Sequence, residues 1–167
     1  MFVAPLRRMK LRTKQLESPF AASYGNVRNW SASSRKYAKF HQGWDLEAAD
    51  GTPCYAISGG VVTHVGHHPQ FGLNVVLAFS RSGQTGVSAV DSLWAFYAHL
   101  SHVFVAVNQI VKAGDQIGLT GHTGNASASA PHLHFEVRNV PSPSPGLGNS
   151  GRLDPAMILG QQYLVCS

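Results

Sequence analysis

The chain has 167 residues, of which 13% are charged and 17 are glycine, with a formal net charge of +5 and a pI near 9.5. That length suits one domain with a real hydrophobic core and leaves two domains cramped, while few charges and many glycines argue against long solvent-facing helices. A basic balance favours an acidic partner (nucleic acid, an anionic membrane surface or a cell-wall polymer) without choosing among them, and no run of about 18 apolar residues suggests a membrane span.

Positive charge gathers near the start, in Arg7, Arg8, Lys10, Arg12 and Lys14, and continues in Arg28, Arg35, Lys36 and Lys39. Residues 1–17 read as a basic segment, and a solubilising surface is the plain reading of any one of these charges. In "MFVAPLRRMK" the charges follow the short apolar stretch and no apolar h-region comes after them, so no secretory signal is expected.

Next comes "FHQGWDLEAADGTP" (40–53), with His41 and Asp45 four residues apart. Gly43 between them and the following "GTP" point to a loop or strand edge rather than a helix. Neutral imidazole and carboxylate are both good ligands for Zn²⁺, at about 2.0–2.2 Å. A surface hydrogen bond explains such a pair equally well when it stands alone.

Short apolar stretches follow: "CYAIS", "GVVTHVG", "LNVVLAFS", "LWAFYAHL", "QIGLTG" and "HLHFEVR", separated by turns such as "ADGTP", "SRSGQTG" and "KAGDQ". β-Branched and aromatic residues alternate as on a half-buried sheet, and no long segment of 3.6-residue period intervenes. The expected fold is all-β, a single domain with a central antiparallel sheet. The Pro/Gly/Ser stretch "VPSPSPGLGNSGR" reads as a loop, and "LDPAMILGQQYL" as a short terminal segment in which Asp154 caps a turn that begins at Pro155. Cys54 and Cys166 allow one intramolecular bridge, which would persist only in an oxidising compartment; otherwise Cys54 is a small buried hydrophobe.

The nine histidines raise the question of which converge. His132 and His134 lie two apart on a candidate strand, so both point to one face with Cα atoms about 6–7 Å apart. Both could approach one metal, or one could ligate while the other faces a water. Three protein ligands with a fourth position open is the arrangement of catalytic zinc, and no HExxH is present. Metal-assisted hydrolysis also needs groups that orient water and carry a proton. His99, at the end of "LWAFYAHL", is placed for that role, although an isolated strand-end histidine is more often a surface residue.

Taken together and in order, "FHQGWDLEAADGTPCYAISGGVV", "FYAHLS" and "VKAGDQIGLTGHTGNASASAPHLHFEVR" resemble the lysostaphin/LytM-type zinc metalloendopeptidases, a family of peptidoglycan hydrolases. "SPFAASYGNVRN" resembles the family's lead-in, with Tyr24, Gly25 and Arg28, so the resemblance runs from about Ser18 to Asp154. It implies a β-rich domain with a groove across its sheet and a Zn²⁺ cofactor. His41, Asp45 and His134 would be the metal ligands, and His99 and His132 the catalytic histidines. Tyr37, Asn74 and His122 are weaker candidates for binding substrate: Tyr37 as an oxyanion donor, Asn74 at the family's customary asparagine, and His122 bordering the groove. Glu136 shares a face with His132 and His134, and is expected to pair with an arginine more readily than to orient an imidazole.

These readings divide the chain into a basic segment (1–17), a catalytic domain (18–155) and a tail packed on or tethered to it (156–167). The expected activity is hydrolysis of peptide cross-links of bacterial peptidoglycan. A degenerate wall-binding or hydrolase-activating member would have lost ligands, and a nucleic-acid-binding β-domain has only its charge in favour. As a bare domain without a signal, the chain is expected to be a monomeric antibacterial toxin delivered into a target periplasm or outside the cell, countered by an immunity protein that blocks the groove. A phage-type lysin and a wall-remodelling enzyme are the alternatives.

Overall fold

The alternating segments form antiparallel strands. The structure, a computed structural model, describes residues 1–18, 20–83, 91–141 and 148–161, without the side chains of Trp30, Tyr37 and Ala38. Strands β1 (Gly25–Ser31) and β2 (Lys36–His41) pair as a separate two-stranded sheet. The remaining strands are β3 (Trp44–Glu47), β4 (Pro53–Tyr55), β5 (Gly60–His68), β6 (Gly72–Ser80), β7 (Ser92–Val103), β8 (Ile110–Val111), β9 (Gln116–Thr120), β10 (His132–Arg138) and β11 (Arg152–Leu153). They make one nine-stranded sheet whose main path is β11-β10-β7-β6-β5-β8, with β3 on β10, and β9 joining β4 to β7. One short helix, α1 (Ala156–Leu159), follows β11.

All six strand segments expected from the sequence are present, and the fold is all-β. The β1–β2 hairpin and the short β3, β8 and β11 complete it; their sequences are too short or too polar for a period-2 pattern to show. Among the described residues no helix is long and apolar enough to cross a membrane.

Alternation sorts β10 into two faces. Leu133, Phe135 and Val137 enter the main core with Val75, Leu77, Phe79, Ala95 and Tyr97. His132, His134, Glu136 and Arg138 point the other way, yet every residue of β10 is buried. A second, smaller apolar cluster of Val76, Phe96 and Ala98, with Phe71 and Trp94 against it, underlies that face, and Arg138 stacks over the Phe96 ring at 3.7 Å. This is why β6 and β7 read as near-continuous apolar runs: both faces are covered.

The first dozen residues are part of this packing. Val3 N–H donates to Ile57 O, Tyr55 N–H to Pro5 O and Glu47 N–H to Lys10 O, and Leu11 bridges to Leu46 along the edge of β3. Leu6 and Leu11 are buried in the main core. At the other end Asp154 Oδ1 accepts from Ala156 N–H at 2.9 Å, so the aspartate does cap the terminal turn. Cys54 is fully buried, and burial pushes its thiol up to about 12. Cys166 lies outside the described residues, and with it the bridge considered above.

Candidate active site

Strand register assembles the site. β10 runs antiparallel to β3 with His134 opposite Asp45, and to β7 with His134 opposite Ala98. Directly opposed residues put their side chains on the same face, with Cβ atoms about 5 Å apart. His41, the last residue of β2, turns in beside them through Gly43. A Cβ on Gly43 would lie 2.1 Å from Phe135 O, so only glycine lets this turn lie against β10. The phi angle at Gly43 is not positive; room for the close approach is the requirement.

One ligand atom from each of His41, Asp45 and His134 falls within 4.8 Å of the others. His41 Nε2 is 3.1 Å from Asp45 Oδ1, and His134 Nδ1 is 2.8 Å from the same oxygen. The outer nitrogens are engaged elsewhere: His41 Nδ1–H donates to Ser23 O at 2.8 Å, and His134 Nε2–H to Glu136 Oε1 at 2.9 Å. A carbonyl and a carboxylate can only accept, so each neutral imidazole carries its proton on the outer nitrogen. Three lone-pair atoms then face one another, an arrangement that calls for a cation at their centre. The donor set suits Zn²⁺, and outer partners of this kind orient metal-binding imidazoles.

Charges around the site support that reading. Asp45 is buried, which alone would raise its pKa, but the facing imidazoles of His41 and His132 and the hydrogen bonds from His134 and His41 hold it well below the usual carboxylate range. Its Oδ2 is gripped by Arg12 Nη2 at 3.0 Å and Arg28 Nη2 at 2.5 Å. Burial also acts against charge on His134, but its hydrogen bonds to Asp45 and Glu136, which accept, outweigh it and raise its pKa. Burial lowers His41, against the pull of Asp45.

His132 and His99 form a second pair, with ring centroids 4.8 Å apart. His132 Nδ1–H donates to Ala130 O at 3.0 Å and His99 Nδ1–H to Thr123 O at 2.8 Å, which leaves both Nε2 atoms as acceptors. Burial lowers both pKa values, that of His99 to about 3, so both rings are neutral at physiological pH. His99 has a left-handed backbone, φ 61°, at the irregularity where β7 shifts its pairing with β6 and β9. That bend turns its ring towards His132.

All five residues border a groove of about 640 Å³, whose walls include Gln15, Leu16, Lys39, Gln70 and Ser127. Asn74 and His122 lie apart from it. Asn74 is buried, with Nδ2–H donating to Gly72 O at 2.8 Å, and His122 is half exposed and pairs through Nδ1 with Asp50 at 2.6 Å. The Tyr37 side chain lies outside the described residues. Arg12 joins the site without having been singled out for it; Arg28 had entered only through the lead-in motif, whose resemblance was the signal available. Glu136 both takes the Arg138 and Arg152 guanidiniums on Oε2, at 2.7 and 2.9 Å, and orients His134 through Oε1. The two roles weighed against each other from the sequence are filled at once.

The model of peptidase family M23 matches residues 39–155. The chain belongs to peptidase family M23. Among M23 relatives, the peptidoglycan DD-endopeptidase ShyA of Vibrio cholerae is 36% identical over 97 residues, covering 58% of this chain and 20% of that protein. The catalytic domain of the antimicrobial peptidase lysostaphin from Staphylococcus simulans superposes with a TM-score of 0.60 at 30% identity, over 82% of this chain and 88% of that one. A zinc-containing peptidase from Vibrio cholerae superposes with a TM-score of 0.56 at 28% identity, over 92% of this chain and 39% of that one. The chain spans about a fifth of the length of the curated relatives it matches. Zinc is the metal of the M23 family, and the His41–Asp45–His134 group fits it.

Proposed function

We propose that the chain is a zinc-dependent endopeptidase that hydrolyses peptide cross-links of bacterial peptidoglycan. The observation that carries this reading is the juxtaposition, on one groove floor, of a three-acceptor metal group with two neutral imidazoles whose Nε2 atoms are left as acceptors by the hydrogen bonds of Nδ1. His41 Nε2, Asp45 Oδ1 and His134 Nδ1 would hold the metal. When bound, zinc supplies Lewis-acid polarisation of a scissile carbonyl and makes a water nucleophilic at neutral pH. His132 Nε2, 3.7 Å from Asp45 Oδ1, is the base that takes the attacking water's proton. It returns that proton to the departing amine, so the peptide C–N bond breaks with no net proton change at the enzyme. His99 Nε2, next to it, orients the water. The buried setting, which disfavours imidazolium, makes each proton visit brief.

Relatives named DD-endopeptidases support a D,D-cross-link as the substrate bond. The place of action is then where peptidoglycan lies, in the periplasm or outside the cell. A wall-remodelling enzyme and an antibacterial effector would cut the same polymer with the same groove, and an immunity protein against an effector would have to fill it.

Digestion of purified peptidoglycan, followed by mass analysis of the muropeptides, tests the reading. Cross-linked dimers should fall to monomers, and a chelator should stop the reaction. His134→Ala should lose zinc and activity together. His132→Ala should keep zinc and lose about 10²–10⁴-fold in rate. Full activity in metal-free protein would sink the mechanism, and products cut at glycine bridges would reassign the bond.

A further inference from the structure

The carboxylate of Asp45 is held on both sides. Its Oδ1 faces His41 and His134, and its Oδ2 is held by two guanidiniums. One of them, Arg12, comes from the N-terminal arm, well upstream of the family match at 39–155. Arg12 meets Asp45 twice: its main-chain N–H donates to Asp45 O at 2.8 Å and its Nη2 reaches Oδ2 at 3.0 Å. Its Nη1–H is tied to Lys14 O at 3.1 Å, and the residue is only 9% exposed.

A guanidinium buried this close to a dication site repels the metal. Against that repulsion stands orientation. With Oδ2 clamped between Arg12 and Arg28 the carboxylate cannot rotate, and Oδ1 stays aimed between His41 and His134. Groups that orient a metal-binding carboxylate in this way typically change metal affinity about 10–100-fold. The arm that delivers Arg12 is built in: Leu6 and Leu11 are buried, Leu11 bridges to Leu46, and Gln15 and Leu16 continue into the groove wall.

We infer that Arg12 is a positioning residue of the metal centre, so that the arm completes a site whose ligands all lie elsewhere. This rests on the reading of His41, Asp45 and His134 as ligands. The test is the zinc dissociation constant, measured by competition with a chromophoric chelator on the full chain, alongside the melting temperature. Wild type should bind zinc and Asp45→Ala should not; if either fails, the ligand reading falls, whatever Arg12 does. With those two results in place, Arg12→Gln should bind zinc about tenfold more weakly. Arg12→Lys, which keeps a cation near Oδ2, should lie between Arg12→Gln and wild type. Unchanged or tighter binding in Arg12→Gln overturns the inference. So do equal affinities in the two variants, because the effect would then come from packing of the arm. If Arg12→Gln does not fold, Arg12→Lys against wild type decides: weaker zinc binding supports the inference and equal binding overturns it.

Discussion

Glu136 has no exposed surface, yet burial, which would raise its pKa, is outweighed by the hydrogen bond and charge of His134 and then by Arg138, leaving it at about 2. The carboxylate therefore stays ionised across the working range and holds His134, Arg138 and Arg152 together. Removing one charge from a buried cluster leaves the others uncompensated, which typically costs about 3–5 kcal/mol. Glu136→Gln should accordingly lower the thermal midpoint markedly. Because Glu136 orients His134, the variant should also bind zinc about tenfold more weakly by chelator competition. A melting curve that matches wild type would mean that this cluster is screened, contrary to its burial. Period-2 alternation was enough to place Glu136 and Arg138 on the face of His134, but it could not supply Arg152. Arg138 is on the same strand, whereas Arg152 arrives on β11, beyond a stretch of sequence rich in proline and glycine.

At the scale of elements, the Gly43 turn sets how closely β3 can approach β10. A methyl group there would lie 2.1 Å from Phe135 O and 2.9 Å from Glu136 Cγ, so one of the two strands has to move. Overpacking of this kind costs about 1–3 kcal/mol, and the strand that moves carries either Asp45 or His134. Gly43→Ala should therefore lose zinc affinity as well as stability, both measured on the purified variant. Stability loss with intact zinc binding would show that the strands shift without changing the ligand geometry. The glycine in "HQGWD" had pointed to a loop or strand edge rather than a helix. That Asp45 lies within a paired strand followed only from the register with β10. Strand pairing across nearly ninety residues leaves no local periodicity to read.

For the whole molecule, buried titratable groups set limits on both sides of neutrality. His99 is held down to about 3 against an ordinary value of 6.5. Below pH 6.5 the unfolded chain takes up a proton that the folded ring refuses, so this stability is present above 6.5 and is lost as pH falls towards 3. His41 and His132, also lowered, act in the same direction, and His134, raised, opposes them in part. Cys54 works from the other side. Its thiol stays neutral up to about 12 when folded but ionises near 9.0 when unfolded, so stability falls as pH rises from 9.0 towards 12. Thermal midpoints of the chelator-treated protein should therefore peak between pH 6.5 and 9.0; a flat profile down to pH 4 would contradict the burial of His99. By itself the sequence determined the six alternating segments, the shared face of His132 and His134, and the family, because alternation and motif spacing are local properties of the chain. Only the tertiary structure decided that Arg12 and Arg28 clamp Asp45, that Ser23 and Glu136 orient the two metal-facing imidazoles, and that Asn74 and His122 stand clear of the groove. Those contacts depend on which strands lie side by side, and that is settled by burying both faces of one sheet rather than by any neighbouring residue.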